Sequence, residues 1–209
     1  MIFCLTLSGV DWALTRDVVS ILGTVSTIVL AAIGLTTWRR QLQGTSEYAL
    51  ATNALHLAYE VQQLLQEVRS PMLFLRKEEV EAGNRIQEEQ NIYGERMNAV
   101  HMKWAELQTI RLKARVIWQA PAHHCFEGLH KIIAEIRAAI WYHFWLKGAY
   151  GGPGAEIDRN PERLQENNEI IYRMAEDDAF SKKIDAAVSQ VEEFFSAKVR
   201  RTWLSRQPH

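Results

Sequence analysis

Only two cysteines occur in the chain, Cys4 and Cys125. They are expected to lie far apart, so no disulfide framework holds the fold together. Formal net charge is -1, which removes bulk attraction to nucleic acid as a driving force. No stretch sustains the period-two alternation of a half-buried strand with turn residues at hairpin spacing, so a sheet protein is excluded. Internal repeats and low-complexity segments are absent as well. The most informative absence is local. From Val18 to Thr37 there is no charged residue.

A helix rises ~1.5 Å per residue, so such a run crosses the ~30 Å hydrocarbon core of a bilayer. Trp38 follows at the position of an interfacial aromatic, and Trp12 is its counterpart at the other end. Arg39 and Arg40 come next and suit the headgroup layer. Before the run stand Asp11, Arg16 and Asp17. The excess of arginine on the C-terminal side places the N-terminus outside and the remainder in the cytoplasm, with a cell's inner membrane as the expected location. A cleaved signal peptide fits poorly, because no basic segment precedes the run and the run is long for a signal core. The expected organisation is a short extracytoplasmic tail over 1–17, a transmembrane helix over 18–38 and a cytoplasmic domain over 39–209.

Within the span, Ser20, Thr24, Thr27, Ala31 and Gly34 recur at four-three spacing. That places small residues on one helix face, where a second backbone can approach closely. Their hydroxyls have two outlets, a partner helix or their own helix's carbonyls.

After the span about 170 residues remain, enough for one helical domain with a core. The chain reads as all-α, with an antiparallel cytoplasmic bundle of about five helices. The first is expected from about Thr45 to Arg69. Leu50, Ala54, Leu57, Val61, Leu64 and Val68 form a continuous apolar seam on it, suited to a bundle or a coiled coil. Pro71 ends it, since Ser70 before proline is pushed from helical geometry. Gly44 reads either as a hinge or as a tolerated glycine in one long helix. Arg76 to Asn91 is charged and weakly periodic, with Gly83 and Gly94 as interruptions. Helical faces resume from Met97 to about Gln119, from about His124 to Lys147, from Pro161 to about Ala175, and from about Asp177 to Arg201. Asn160-Pro161 is an N-cap signature. The segment from Gly148 to Gly154 is a loop. It lacks the Lys-Ser/Thr of a phosphate loop.

Three clusters are candidate sites. Arg137 and His143 have the arginine–histidine spacing of the HEPN ribonucleases, a resemblance that implies acid–base cleavage next to an RNA 2′-hydroxyl. On one continuous helix, six steps at ~100° leave the two about 120° apart. Convergence therefore needs a shared cleft, and the alternative is a core histidine beside a surface arginine. His123, His124, Cys125 and His130 contain metal-ligand types but lack a second pair nearby, so no metal site and no cofactor is expected. Trp141, Tyr142 and Trp145 are either core or the contact surface for a cytoplasmic protein partner. The acids Glu176, Asp177 and Asp178 read as helix-cap chemistry. The basic end from Lys198 to Arg206 suits either a helix dipole or anionic lipid.

The pattern Trp38-Arg39-Arg40-Gln41-Leu42, Gly44, Glu47-Tyr48 and Val68-Arg69-Ser70-Pro71-Met72 resembles a bacterial family of small single-span proteins with helical cytoplasmic domains and unsettled function. The layout is similar, more distantly, to a membrane-anchored HEPN-like accessory protein of RNA-targeting CRISPR systems. That resemblance implies oligomerisation in the membrane and a part in antiphage defence. The expected activity is a self-associating, membrane-anchored effector or scaffold without intrinsic catalysis. Its partners would be the bilayer and further copies of the chain, with no direct indication of nucleic acid. The alternatives are a tethered ribonuclease and a passive anchor for a protein partner.

Overall fold

The computed structural model describes residues 12–150, 160–175 and 177–204, with side chains from 16 to 200 within those ranges. All regular structure among the described residues is helical, in the order α1 (Trp12–Val68), α2 (Lys77–Glu81), α3 (Arg85–Trp118), α4 (Pro121–His124), α5 (Glu127–Leu146), α6 (Pro161–Ile171) and α7 (Ala179–Leu204). The chain divides into two compact units, Met1–Ser46 and Glu47–His209. Gly44 lies inside α1, close to the boundary between the two units.

In the first unit α1 has one helix long and apolar enough to cross a membrane, with none of its apolar window buried. Ile21, Leu22, Ile28, Leu30 and Ile33 are all exposed. Trp38 is 62% exposed, whereas the Trp12 side chain lies outside the described residues. The hydroxyls bond back into the helix, Thr24 Oγ1 to the Ser20 carbonyl at 2.9 Å and Thr27 Oγ1 to the Gly23 carbonyl at 2.8 Å. Each donor is thus satisfied without water or a partner, as a hydrocarbon environment demands.

In the second unit the apolar seam of α1 faces the chain's own core. Ala51, Ala54, Leu57, Ala58, Val61, Leu65 and Val68 are buried. Leu50 and Leu64 are only partly buried. The expected seam is therefore rotated, and Leu57, Val61 and Val68 are occupied by intramolecular packing. They are not available as a surface between copies. The physical reason is that Leu50 and Leu64 stand at the edge of the stripe while small alanines at 51 and 58 let other helices come close.

Contacts set the directions of the neighbours. Glu60 meets Lys103 of α3 at 3.2 Å, and Gln62 donates to Asp185 of α7 at 2.7 Å. Arg69, after the end of α1, meets Asp178 just before α7. Both α3 and α7 therefore run back along the C-terminal half of α1. Phe126, Leu129, Ile133 and Ile136 of the α5 region fill the core with Phe180, Ile184, Val188, Val191 and Phe195. Gly128 is needed at this crossing, since a Cβ there would stand 3.0 Å from the Ala187 Cβ.

Several boundaries differ from the periodicity. Gly94 does not interrupt α3, which is long enough for packing to outweigh the ~1 kcal/mol propensity cost of a glycine. The helix expected from about His124 begins at Glu127 as α5, after the short α4. Helix α6 stops at Ile171, where Tyr172 turns extended (φ -105, ψ 124) and the Arg173 N–H donates to the Arg69 carbonyl at 2.7 Å. Asn160 does cap α6, its side chain accepting the Glu162 N–H at 2.9 Å. Most of the glycine loop, 151–159, lies outside the described residues, as does Glu176.

Candidate functional site

Residues of α3 and α5 face one another across an open cleft of about 430 Å³. Arg137 lines it, with Gln90, Asn98 and His101 from α3 and Trp141 and Tyr150 from the α5 side. His143 does not line the cleft, although its ring packs on Tyr93 and Phe144, which do. It is 8% exposed, with ring centroids 6.1 Å from Tyr93, 5.2 Å from Phe144 and 6.0 Å from Tyr172. Burial, aided by the nearby Lys147 charge, pulls its pKa down to about 4. Its Nε2 has no hydrogen-bond partner. The structure thus does not bring Arg137 and His143 together. His143 is not among the residues that line the Arg137 cleft. The histidine that does share the cleft with Arg137 is His101, which spacing along the sequence gave no means of finding.

Near His143 a buried carboxylate is paired across the α3–α5 contact with a lysine that reaches the surface. Glu89 is 4% exposed and takes Lys147 as its partner, with Arg85 at 3.3 Å. Burial alone would push the Glu89 carboxyl up, but Lys147 and then Arg85 outweigh it and hold the pKa below the usual range. Tyr93 and Tyr172 border the same pocket, and burial raises both phenols.

The aromatic cluster forms a near-parallel series. Trp141 stacks on Tyr150 at 6.1 Å and 7° and on Trp145 at 6.4 Å and 16°, and Tyr142 stacks on Trp145 at 5.8 Å and 21°. Trp141 is 55% exposed, so this face is outward. Phe144, between them in sequence, is the member that enters the core.

The histidine–cysteine segment disperses. His123 accepts from Arg111 Nε at 3.0 Å, His124 pairs with Glu127 at 2.8 Å, and His130 stacks on Trp104 at 5.9 Å. Cys125 Sγ points to the Ala122 carbonyl, and burial pushes its thiol up to about 12. Among the described residues no three ligand-type side chains are grouped to hold a metal.

The most strongly built polar group is one that periodicity passed over. Arg69 is completely buried. Its Nε donates to the Ile170 carbonyl at 2.7 Å, Nη1 to Ser181 Oγ at 2.8 Å, and Nη2 to the Glu169 carbonyl at 3.0 Å and Asp178 at 2.9 Å. The guanidinium also lies 4.9 Å from the Phe180 ring centroid. One side chain thereby satisfies the exposed carbonyl end of α6 and ties the entry of α7 to α1. Asp178 is accordingly held below the usual carboxylate range, since the Ser181 N–H and Arg69 outweigh its burial. Arg96 performs a related task, donating to the Ser70 carbonyl at 3.0 Å and the Met72 carbonyl at 2.7 Å. The quoted Val68-to-Met72 motif is therefore a structural junction.

No family model matches the chain, and neither a curated protein nor a solved structure is similar to it.

Proposed function

We propose that this chain is a single-span, membrane-anchored helical scaffold or effector that self-associates and carries no catalytic centre of its own. The observation that supports this most is the first unit, a helix whose entire apolar run is exposed while the Thr24, Thr27 and Thr36 hydroxyls bond its own carbonyls. Such a surface is stable in lipid and costly in water. The span lies in the bacterial inner membrane with the N-terminus outside, and the second unit is a cytoplasmic antiparallel bundle built on about five helices. Self-association rests on the small-residue face of Ser20, Thr24, Thr27, Ala31 and Gly34. In keeping with the resemblance of its Trp38–Met72 pattern and layout, we propose that the protein serves as a membrane-perturbing or pore-forming accessory in antiphage defence. Glutaraldehyde crosslinking and sizing in mild detergent should show oligomers. Monomers alone would remove the self-association.

A second reading is favoured by the exposed Trp141 stack, which suits recruitment of a cytoplasmic protein partner. Trp141→Ala with Trp145→Ala should then lose bound partners in a pull-down, and unchanged partners would count against it. A HEPN-type ribonuclease would require His143 to leave its aromatic pocket. Ribonuclease activity that disappears in both Arg137→Ala and His143→Ala would revive that alternative.

A further inference from the structure

The helical unit presents basic and apolar side chains together at the end where the chain enters from the apolar helix. The register of α1 against its neighbours identifies that end. Glu60 faces Lys103, so the antiparallel course places Glu47 to Ala51 level with about Leu112 to Val116 of α3. Tyr59 interacts with Glu192, which places Glu47 to Ala51 level with α7 beyond Lys198. Trp118 joins the two neighbours at this level, packing edge-on against Phe195 at 5.6 Å, with the Lys198 ammonium 5.9 Å from its ring centroid.

Lys113, Arg115 and Arg200 are exposed here, and Lys198 is partly exposed. Leu112, Val116 and Ile117 are 61%, 85% and 42% exposed. Among the described residues Glu47 is at this level, and Glu127 nearby is paired with His124 at 2.8 Å. Glu192 and Glu193 lie nearly two turns back along α7, and Glu106 lies two turns back along α3, beside Lys103 at 3.5 Å. Helix dipoles account for basic residues at the C-terminal ends of α3 and α7. They give no reason for three aliphatic side chains standing in water beside those charges. An interface that is anionic at its surface and apolar just beneath accounts for both.

Connectivity selects the occupant. Glu47 follows Trp38 by nine residues, a reach of no more than roughly 30 Å even at full extension. If the Val18–Thr37 run lies in a bilayer, this end of the helical unit cannot be far from the headgroups. We propose that it docks on anionic phospholipid through Lys113, Arg115 and Arg200, with Val116 and Ile117 entering the headgroup–acyl boundary. The proposal rests on the anchored reading above.

The test uses the full chain in vesicles of phosphatidylcholine with and without phosphatidylglycerol. Cys4→Ser is combined with Val116→Cys, and an environment-sensitive fluorophore is attached at position 116. Cys125, which is half-buried with its thiol pushed up to about 12, is changed to serine in the same chain. Lys77→Cys, in α2 beyond the distal end of α1, is the control position. Shallow nitroxide lipids should quench the label at 116 about twofold or more over the label at 77 in phosphatidylglycerol vesicles, and the excess should vanish at high salt. The combined Lys113→Gln, Arg115→Gln and Arg200→Gln chain, with unchanged helical circular dichroism, should lose the excess at low salt too. Quenching at 116 that equals that at 77, or that is the same with and without phosphatidylglycerol, overturns the docking. Flotation after alkaline extraction separates the two claims. A chain that does not float refutes the anchor itself, whereas one that floats without excess quenching refutes only the docked face.

Discussion

In the first unit α1 holds Ile21, Leu22, Ile28, Leu30 and Ile33 on its surface, all of them exposed. Past Glu47 the same helix buries Ala51, Ala54, Leu57, Val61 and Leu65 against other helices of the chain. Amino-acid type does not separate these halves, since both are rich in aliphatics. What separates them is periodicity and company. The first half is apolar all round, and the Thr24, Thr27 and Thr36 hydroxyls turn to its own backbone. The second half is apolar on one stripe and carries Glu60, Gln62 and Gln66 to meet partners on α3, α7 and the Arg69 node. A helix apolar on every side calls for a solvent of lipid, whereas a striped one calls for a protein core.

The comparison breaks most sharply at Arg69. Arg69→Met removes the donor from buried acceptors at Ile170, Glu169, Ser181 and Asp178, and should cost about 3–5 kcal/mol in urea unfolding of the second unit. A loss below ~1 kcal/mol would show that the node is ornamental to stability.

Next in size is a matched pair of truncations. Leu65→Ala, at a fully buried position, should destabilise by about 2–5 kcal/mol. Leu30→Ala, at 69% exposure, should leave the unfolding of the second unit within ~0.5 kcal/mol of the parent chain. Equal effects would mean that the two halves of α1 do not differ as described.

His143 provides a pH-dependent version of the same contrast. Its folded pKa is lowered from 6.5 to about 4, so the unfolded chain binds the extra proton more readily. Stability contributed by the neutral ring is complete above about 6.5 and is lost as pH falls from there towards about 4, by up to about 3 kcal/mol. His143→Phe should flatten that part of the stability–pH curve. A curve of unchanged slope would assign the acid sensitivity to other groups.

The smallest effect is expected from Thr24→Val with Thr27→Val. Both hydroxyls bond their own helix, so unfolding of the second unit should shift by less than ~0.5 kcal/mol. A change in oligomer size with these substitutions would tie the small-residue face to self-association.

Much of the helical order was legible in the sequence because period and punctuation agreed. Asn160-Pro161 marked the start of α6, and Pro71 marked the break after α1. The apolar run announced a candidate span on composition alone. Long-range polar partnerships were not legible. Nothing near Arg69 in sequence points to residues a hundred positions later, and its role appears only when α6 and α7 deliver their ends to it. The Arg137 cleft shows the same limit. Spacing along α5 suggested His143, but helical rotation sends that ring into the core, and His101 of α3 comes to the cleft through packing alone.

Hydrogen–deuterium exchange of the full chain in lipid nanodiscs tests the central contrast most directly. Peptides covering Val18 to Thr37 should resist exchange for hours although none of their side chains is buried by protein, because the bilayer excludes water from a helix that packs against nothing else in the described chain. Exchange there as fast as in an exposed, uncovered helix would contradict the assignment of this unit to lipid.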